Sequence, residues 1–176
     1  MLSRVLSGAN LSRNTALIYV STYADTRALE TYLDSFPTPS PTFFQTSIHP
    51  SGVEQALIFS KQPVDEFYPF AGREFSVPQS LRLAASLTSQ GKDVILCGGE
   101  ERGTWLLDAQ SASNQNFAYA VKFSSCQQDA LARIKISPIG EGSEVLLNED
   151  FMKILQLRCP MSFSHQDIGQ ICLEWL

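Results

Sequence analysis

The fold is decided by Ser76-Val-Pro-Gln-Ser-Leu-Arg-Leu-Ala-Ala-Ser-Leu-Thr-Ser-Gln-Gly91, which runs into Lys92-Asp-Val-Ile-Leu-Cys-Gly-Gly-Glu-Glu101. The first part reads as a helix. Pro78 suits a first helical turn, where its missing N–H costs nothing. Leu81, Ala84, Ala85 and Thr88 recur at helical spacing, and Leu83 with Leu87 widens the apolar side. Gly91 is a natural stop, because it enters the left-handed region without a Cβ penalty. Val94-Ile-Leu-Cys97 is a short continuous apolar run, as expected of a strand covered on both faces. Gly98-Gly99 then lets the chain turn sharply or lets another backbone come close. A helix, a tight link and a buried strand together predict a layered α/β domain.

Working outward toward the N-terminus, residues 1–14 are polar and mixed and read as a loose lead-in. Thr15-Ala-Leu-Ile-Tyr-Val-Ser21 is β-branched and aromatic and predicts a strand. Asp25 can cap a helix over 26–35, whose Leu29, Tyr32, Leu33 and Phe36 share one face. Pro37-Thr-Pro-Ser-Pro41 ends that helix. The segment from Thr42 is expected to be extended. The capping-box spacing of Ser51 and Glu54 then predicts a helix starting near residue 51. Residues 62–72 read as an aromatic connector broken by Pro63 and Pro69.

Working outward toward the C-terminus, 108–116 reads as an exposed polar loop. Phe117–Phe123 and Leu131–Ser137 alternate and are expected to be strands that pair as a hairpin. Asn148–Leu155 predicts a short helix with acids at its positive end. Residues 168–176 predict a final strand or helix. The expected organisation is a lead-in over 1–14, a domain over 15–137, and an extension over 138–176 packing on that domain.

At 176 residues the chain can bury roughly 70% of the surface its unfolded form exposes. It therefore needs neither metal nor disulfide to fold. A net charge of −5 without a Lys/Arg cluster argues against nucleic acid and against anionic membrane. Cys97, Cys126, Cys159 and Cys172 lack metal-ligand spacing and read as buried small hydrophobes in a reducing compartment. No apolar run reaches the roughly 20 residues of a membrane helix. The expected compartment is the cytoplasm, and no cofactor or metal is expected.

Three segments resemble the N-terminal half of the β-ketoacyl synthases, in the thiolase-like superfamily. They are Pro41-Thr-Phe-Phe-Gln-Thr-Ser-Ile-His-Pro-Ser-Gly52, the helix from Pro78, and Asp93-Val-Ile-Leu-Cys-Gly-Gly-Glu100. The likeness is greatest to divergent synthase-like subunits of polyene and polyketide pathways, and it spans about residues 15–137. It implies a thiolase-like half-domain, with a mixed sheet of about five strands and packed helices. It also implies a nucleophilic cysteine at the start of the organising helix, near Glu74 or Phe75. A helix N-terminus is where a thiol pKa falls. Here no cysteine lies between Met1 and Leu96. The resemblance thus implies a non-catalytic subunit that pairs with a ketosynthase or with itself, with an acyl carrier protein as a further candidate partner. Two alternatives stand beside it. One is an acyl-transfer enzyme with a relocated nucleophile; the other is a structural or regulatory binding module.

The single residues narrow this reading. Ser47 and His49 are candidate acyl-site contacts, but on an extended segment they would point to opposite faces. The simpler expectation for His49 is a histidine satisfied by a loop carbonyl. Phe67 and Phe70 suit either core or interface. Gly98 and Gly99 lack the spacing of a phosphate loop. Glu100-Glu101 and Asp65-Glu66 read as solvated acids, and His165 is expected to have no catalytic role.

Overall fold

The computed structural model describes residues 2–8, 11–126 and 128–176. In chain order the elements are α1 (Leu2–Ser7), β1 (Thr15–Ser21), α2 (Thr26–Asp34), α3 (Pro41–Ser47), α4 (Ser51–Ser60), β2 (Glu66–Ala71) and α5 (Ser76–Ser89). Then follow β3 (Asp93–Glu100), α6 (Trp105–Asp108), β4 (Phe117–Phe123), β5 (Ala132–Ser137), α7 (Asn148–Leu157), β6 (Met161–His165) and β7 (Gly169–Trp175).

The strands form two sheets. The first is mixed, in the order β2-β1-β3-β4: β1 runs parallel to β2 and β3, and β4 is antiparallel to β3. The second is antiparallel, in the order β5-β7-β6. The α/β class and the mixed sheet are as the sequence predicts. The mixed sheet has four strands rather than about five, and β5, β6 and β7 make a second sheet of their own.

The two faces of β1 and β3 sort the core. Ala16, Ile18, Val20, Val94 and Leu96 pack with Val77, Leu81, Ala84 and Leu87 of α5. Phe151 of α7 and Met161, Phe163, Ile171 and Leu173 of the second sheet complete that core. The opposite face, with Leu17, Tyr19, Ile95 and Cys97, packs on Leu6 of α1 and on Val53 and Leu57 of α4. Helices α5 and α7 therefore share a core with both sheets. Each fully buried leucine contributes roughly 1.5–3 kcal/mol through removal from water.

Several expectations are corrected. Leu2–Ser7, read as part of a loose lead-in, is a helix with Leu6 buried. Pro41–Ser47 is helical rather than extended: Pro41 sits in the first turn, and the Ser40 hydroxyl accepts from the Phe43 amide. Glu66–Ala71 is a strand, not a connector. It tolerates Pro69 because it lies at the sheet edge, where one flank needs no donors. The expected hairpin does not form. β4 pairs with β3, whose last residues reach Ala118 and Phe117, and β5 pairs with β7. In the polar loop over 108–116, Ala112 and Ser113 are buried. All four cysteines are free; Cys97 is buried as expected, but Cys126 and Cys159 are exposed. No helix among the described residues is long and apolar enough to cross a membrane.

Candidate functional site

Helix α5 starts where the resemblance implies a nucleophile. Phe75 stands just before it, at φ −118° and ψ −6°, and Ser76 is its first residue. The Ser76 hydroxyl donates to the Gly72 carbonyl at 2.7 Å, so its proton is committed to the backbone. The Phe75 ring meets the His165 ring edge-on, with centroids 5.0 Å apart. His165 is buried, and its Nδ1 accepts the Asp167 amide at 3.1 Å. Arg82 of α5 donates to the Ile168 carbonyl at 2.7 Å. The β6–β7 turn is thereby fastened to the first half of α5. His165, assigned no role from sequence, lies against Phe75, one of the two residues near which the resemblance implies a nucleophile. What faces it is a phenyl ring, which can neither attack an acyl group nor hold one.

Ser47 and Cys97 are restrained as well. The Ser47 hydroxyl donates to the Phe44 carbonyl at 2.8 Å, and α3 carries it well away from α5 in sequence and fold. Cys97 is fully buried in β3, and burial pushes its thiol up to about 12, far from the thiolate that reacts.

The β2 edge holds the aromatic candidates. Phe67 packs against the α1–α4 core, and Phe70 against the α5 core, so the two point to opposite faces. Both are half-buried, and β2 has a neighbour on one flank only. Lys92 pairs with Asp65 and with Glu66 at 3.0 Å, beside this strand.

A cleft of about 620 Å³ opens at the carboxyl ends of β1 and β3. Tyr19, Asp25, Gly52, Gln55, Phe59, Gly99, Glu100, Glu101 and Asn116 contribute to its wall. This is where the chain order of the sheet reverses: β1 leads outward to β2 on one side, and β3 leads to β4 on the other. Open α/β sheets leave a crevice at such a point.

Gly98 and Gly99 are strand residues, not a turn. A Cβ at Gly98 would lie 2.4 Å from the Tyr119 ring, and one at Gly99 would lie 2.8 Å from the Phe117 carbonyl. The glycines let β4 lie close. Glu100, read as solvated, is only 3% exposed. Its carboxylate accepts from the Ser21 hydroxyl at 3.0 Å, the Thr22 and Tyr23 amides, and the Asn148 amide group at 2.6 Å. Asn148 in turn accepts from the Tyr119 hydroxyl at 2.7 Å. Burial raises the Glu100 pKa, and these hydrogen bonds oppose the rise. The network ties α7 to both central strands and leaves Glu100 no free lone pair of consequence. Its signal in the sequence is an acid that ends an apolar strand.

Asp25 does not cap α2; its side chain makes no such bond. Its Oδ1 lies instead beside Gly52 at the start of α4, whose amide favours the charged form. Its Oδ2 is buried without a hydrogen-bond partner. His49 Nδ1 lies 4.0 Å away, too far for a hydrogen bond. His49 stacks on Tyr19 with centroids 5.1 Å apart, and neither ring nitrogen has a partner. The expected loop carbonyl is absent. Burial lowers the His49 pKa and so keeps the ring neutral. Desolvation first, then the charges of Glu101 and Glu54, push Asp25 up to about 6.

No protein-family model and no curated protein matches the chain. Solved structures do, two among them being these. One is a ketosynthase in complex with its chain length factor from Xenorhabdus doucetiae. It matches over 98% of this chain and 76% of its own, with a TM-score of 0.67 and 20% identity. The other is the ishigamide ketosynthase/chain length factor, matched over 73% of this chain and 42% of its own, with a TM-score of 0.54 and 13% identity. The chain thus has the thiolase-like α/β fold found in ketosynthase/chain length factor proteins, without a cysteine at the start of its organising helix.

Proposed function

We propose that this chain is a non-catalytic synthase-like subunit that pairs with a ketosynthase in fatty-acid-like or polyketide-like synthesis. The observation that carries the reading is Phe75 at the head of α5, packed on His165. Decarboxylative condensation needs a thiolate to hold the acyl chain and donors for the developing charge. The resemblance implies that thiolate near Glu74 or Phe75, and neither side chain can form an acyl thioester. The flank of β2 without a neighbour supports the pairing, since an open edge with aromatic side chains on both faces is a natural template for a partner strand.

The reading is tested by intact mass. The purified chain is incubated with an acyl-carrier-protein thioester and with an acyl-CoA thioester. The expected result is an unmodified mass under conditions where a ketosynthase becomes acylated. A covalent acyl adduct would overturn the non-catalytic assignment and would favour a relocated nucleophile.

A further inference from the structure

Helices α2 and α3 carry an apolar face that the described residues leave open. The Tyr32 ring of α2 meets Phe36 and Phe44, with centroids 5.5 and 5.3 Å apart, so the two helices present one surface. On it Phe36 is 54% exposed, Phe43 41%, Phe44 49% and Ile48 48%. Leu33, Pro37, Pro39 and Pro41 are exposed beside them. None of the residues of α3 is buried, so its two phenyl rings gain little from the core. The helix is nevertheless fixed in place. The Ser40 hydroxyl accepts from the Phe43 amide, and the Thr46 and Ser47 hydroxyls donate to the Phe43 and Phe44 carbonyls. The Ser51 hydroxyl donates to the carbonyls of Gln45 and Ile48. A face ordered in advance loses little freedom when it docks.

Charge and area decide what covers it. No Asp, Glu, Lys or Arg stands anywhere from Ser35 to Val53, although charged residues make up 18% of the chain. Aromatic enrichment with depletion of charge is the composition of an interface centre. An acidic protein, a nucleic acid or an anionic lipid would find no cation in this segment. A second copy of the chain meets a surface as uncharged as its own. That matters because each copy carries a net charge of −5 and repels its like over charged approaches. Side chains of roughly 150–200 Å², exposed to these fractions, make an apolar face of roughly 600 Å², the upper end of what a lone soluble chain leaves bare. Two such faces together remove roughly 1,200 Å² from water, the lower end of stable specific interfaces, before any polar rim is counted. We propose that two copies of this chain pair through α2 and α3 about a two-fold axis, with Phe36, Phe43, Phe44 and Ile48 of each at the centre. The β2 edge contributes no residue to this face. Pairing leaves that edge free, so the inference stands apart from the ketosynthase reading.

The experiment is sedimentation equilibrium of the full chain, purified alone at pH 7, from about 1 to about 100 μM, the range in which a small apolar interface associates. A reversible equilibrium between monomer and dimer is expected, with its midpoint inside that range. Phe44→Asp should weaken pairing at least about hundredfold and leave a monomer, because two-fold symmetry sets an unpaired carboxylate into the interface twice. Leu157→Asp adds the same charge at an exposed position on α7 and should leave the dimer intact. Hydrogen exchange of the natural chain gives a readout that needs no variant. The amides of α3 should exchange more slowly at the high concentration than at the low, and those of β5 should not. A natural chain that is monomeric at the highest concentration, a dimer that Phe44→Asp leaves unchanged, or protection that appears on β2 and not on α3 would each overturn the inference. So would a monomer that binds neutral phosphatidylcholine vesicles, which would assign the face to a lipid surface.

Discussion

Asp25 and Glu100 are both acids near the cleft, and their environments set them different tasks. Glu100 receives two backbone amides, a hydroxyl and a carboxamide, and so serves as a structural hub. Asp25 lies beside the Gly52 amide and feels the charges of Glu101 and Glu54. Its folded pKa, about 6, lies above the ordinary value of 3.8. A raised acid contributes stability that is complete below its unfolded pKa and is lost as pH rises through the folded one. Asp25 therefore costs stability above pH 6. Glu54, Glu101, Tyr19 and His49 are the titratable neighbours facing it. Asp25→Asn keeps an acceptor for the Gly52 amide and removes the charge. It is predicted to match the natural chain in stability near pH 4 and to exceed it at pH 7. The gain should be on the order of 1 kcal/mol, discounted for the solvent that reaches the cleft wall. Urea unfolding at the two pH values measures this. A loss of stability at pH 7 would show that the carboxylate charge is needed to hold α4.

At the scale of elements, local signals in the sequence identify most pieces, and long-range pairing stays hidden. The β-branched run at Thr15–Ser21, the amphipathic spacing after Asp25 and the helix ending before Gly91 all correspond to observed elements. Gly91 takes φ +83°, the conformation the stop requires. At Ser51 the start is right but the cause is not. The Ser51 hydroxyl donates to the Gln45 and Ile48 carbonyls, and Asp25 from elsewhere in the chain lies beside Gly52 at the helix start. Pairing is where alternation misleads. β4 and β5 have the same pattern, but they belong to different sheets, because what each pairs with is decided by distant strands. The same holds for the site. The missing cysteine is legible from residue types alone. The meeting of Phe75 with His165, and of Asp25 with His49, depends on contacts that no spacing reports. The second sheet carries a prediction of its own. A chain ending after Ser137 would leave β5 without β7 and would remove Phe151, Met161, Phe163, Ile171 and Leu173 from the α5 core. Each such loss costs about 2–5 kcal/mol by analogy with large-to-small core changes, against a total stability of roughly 5–15 kcal/mol. The truncated chain is predicted to lack cooperative unfolding and near-ultraviolet circular dichroism. A cooperative transition in it would show that residues 1–137 hold together unaided.

For the whole molecule, the second sheet closes one side of the core. It covers the outer side of α5 and presents Arg133, Lys135, Ser162, Gln170 and Glu174 on its far face, all exposed. That alternation is the pattern of a sheet with one wet side. The first sheet is finished differently: its β2 flank has no neighbour, and Phe67 and Phe70 stand half-buried there. The proposed subunit role places the ketosynthase at this edge. The most direct test is the native mass of the protein, purified gently from cells that carry its neighbouring genes. The account predicts a complex of this chain with a ketosynthase, which separates when the β2 edge is altered at Phe67. A protein that stays monomeric, or forms only a dimer of itself, in the presence of that ketosynthase would contradict it.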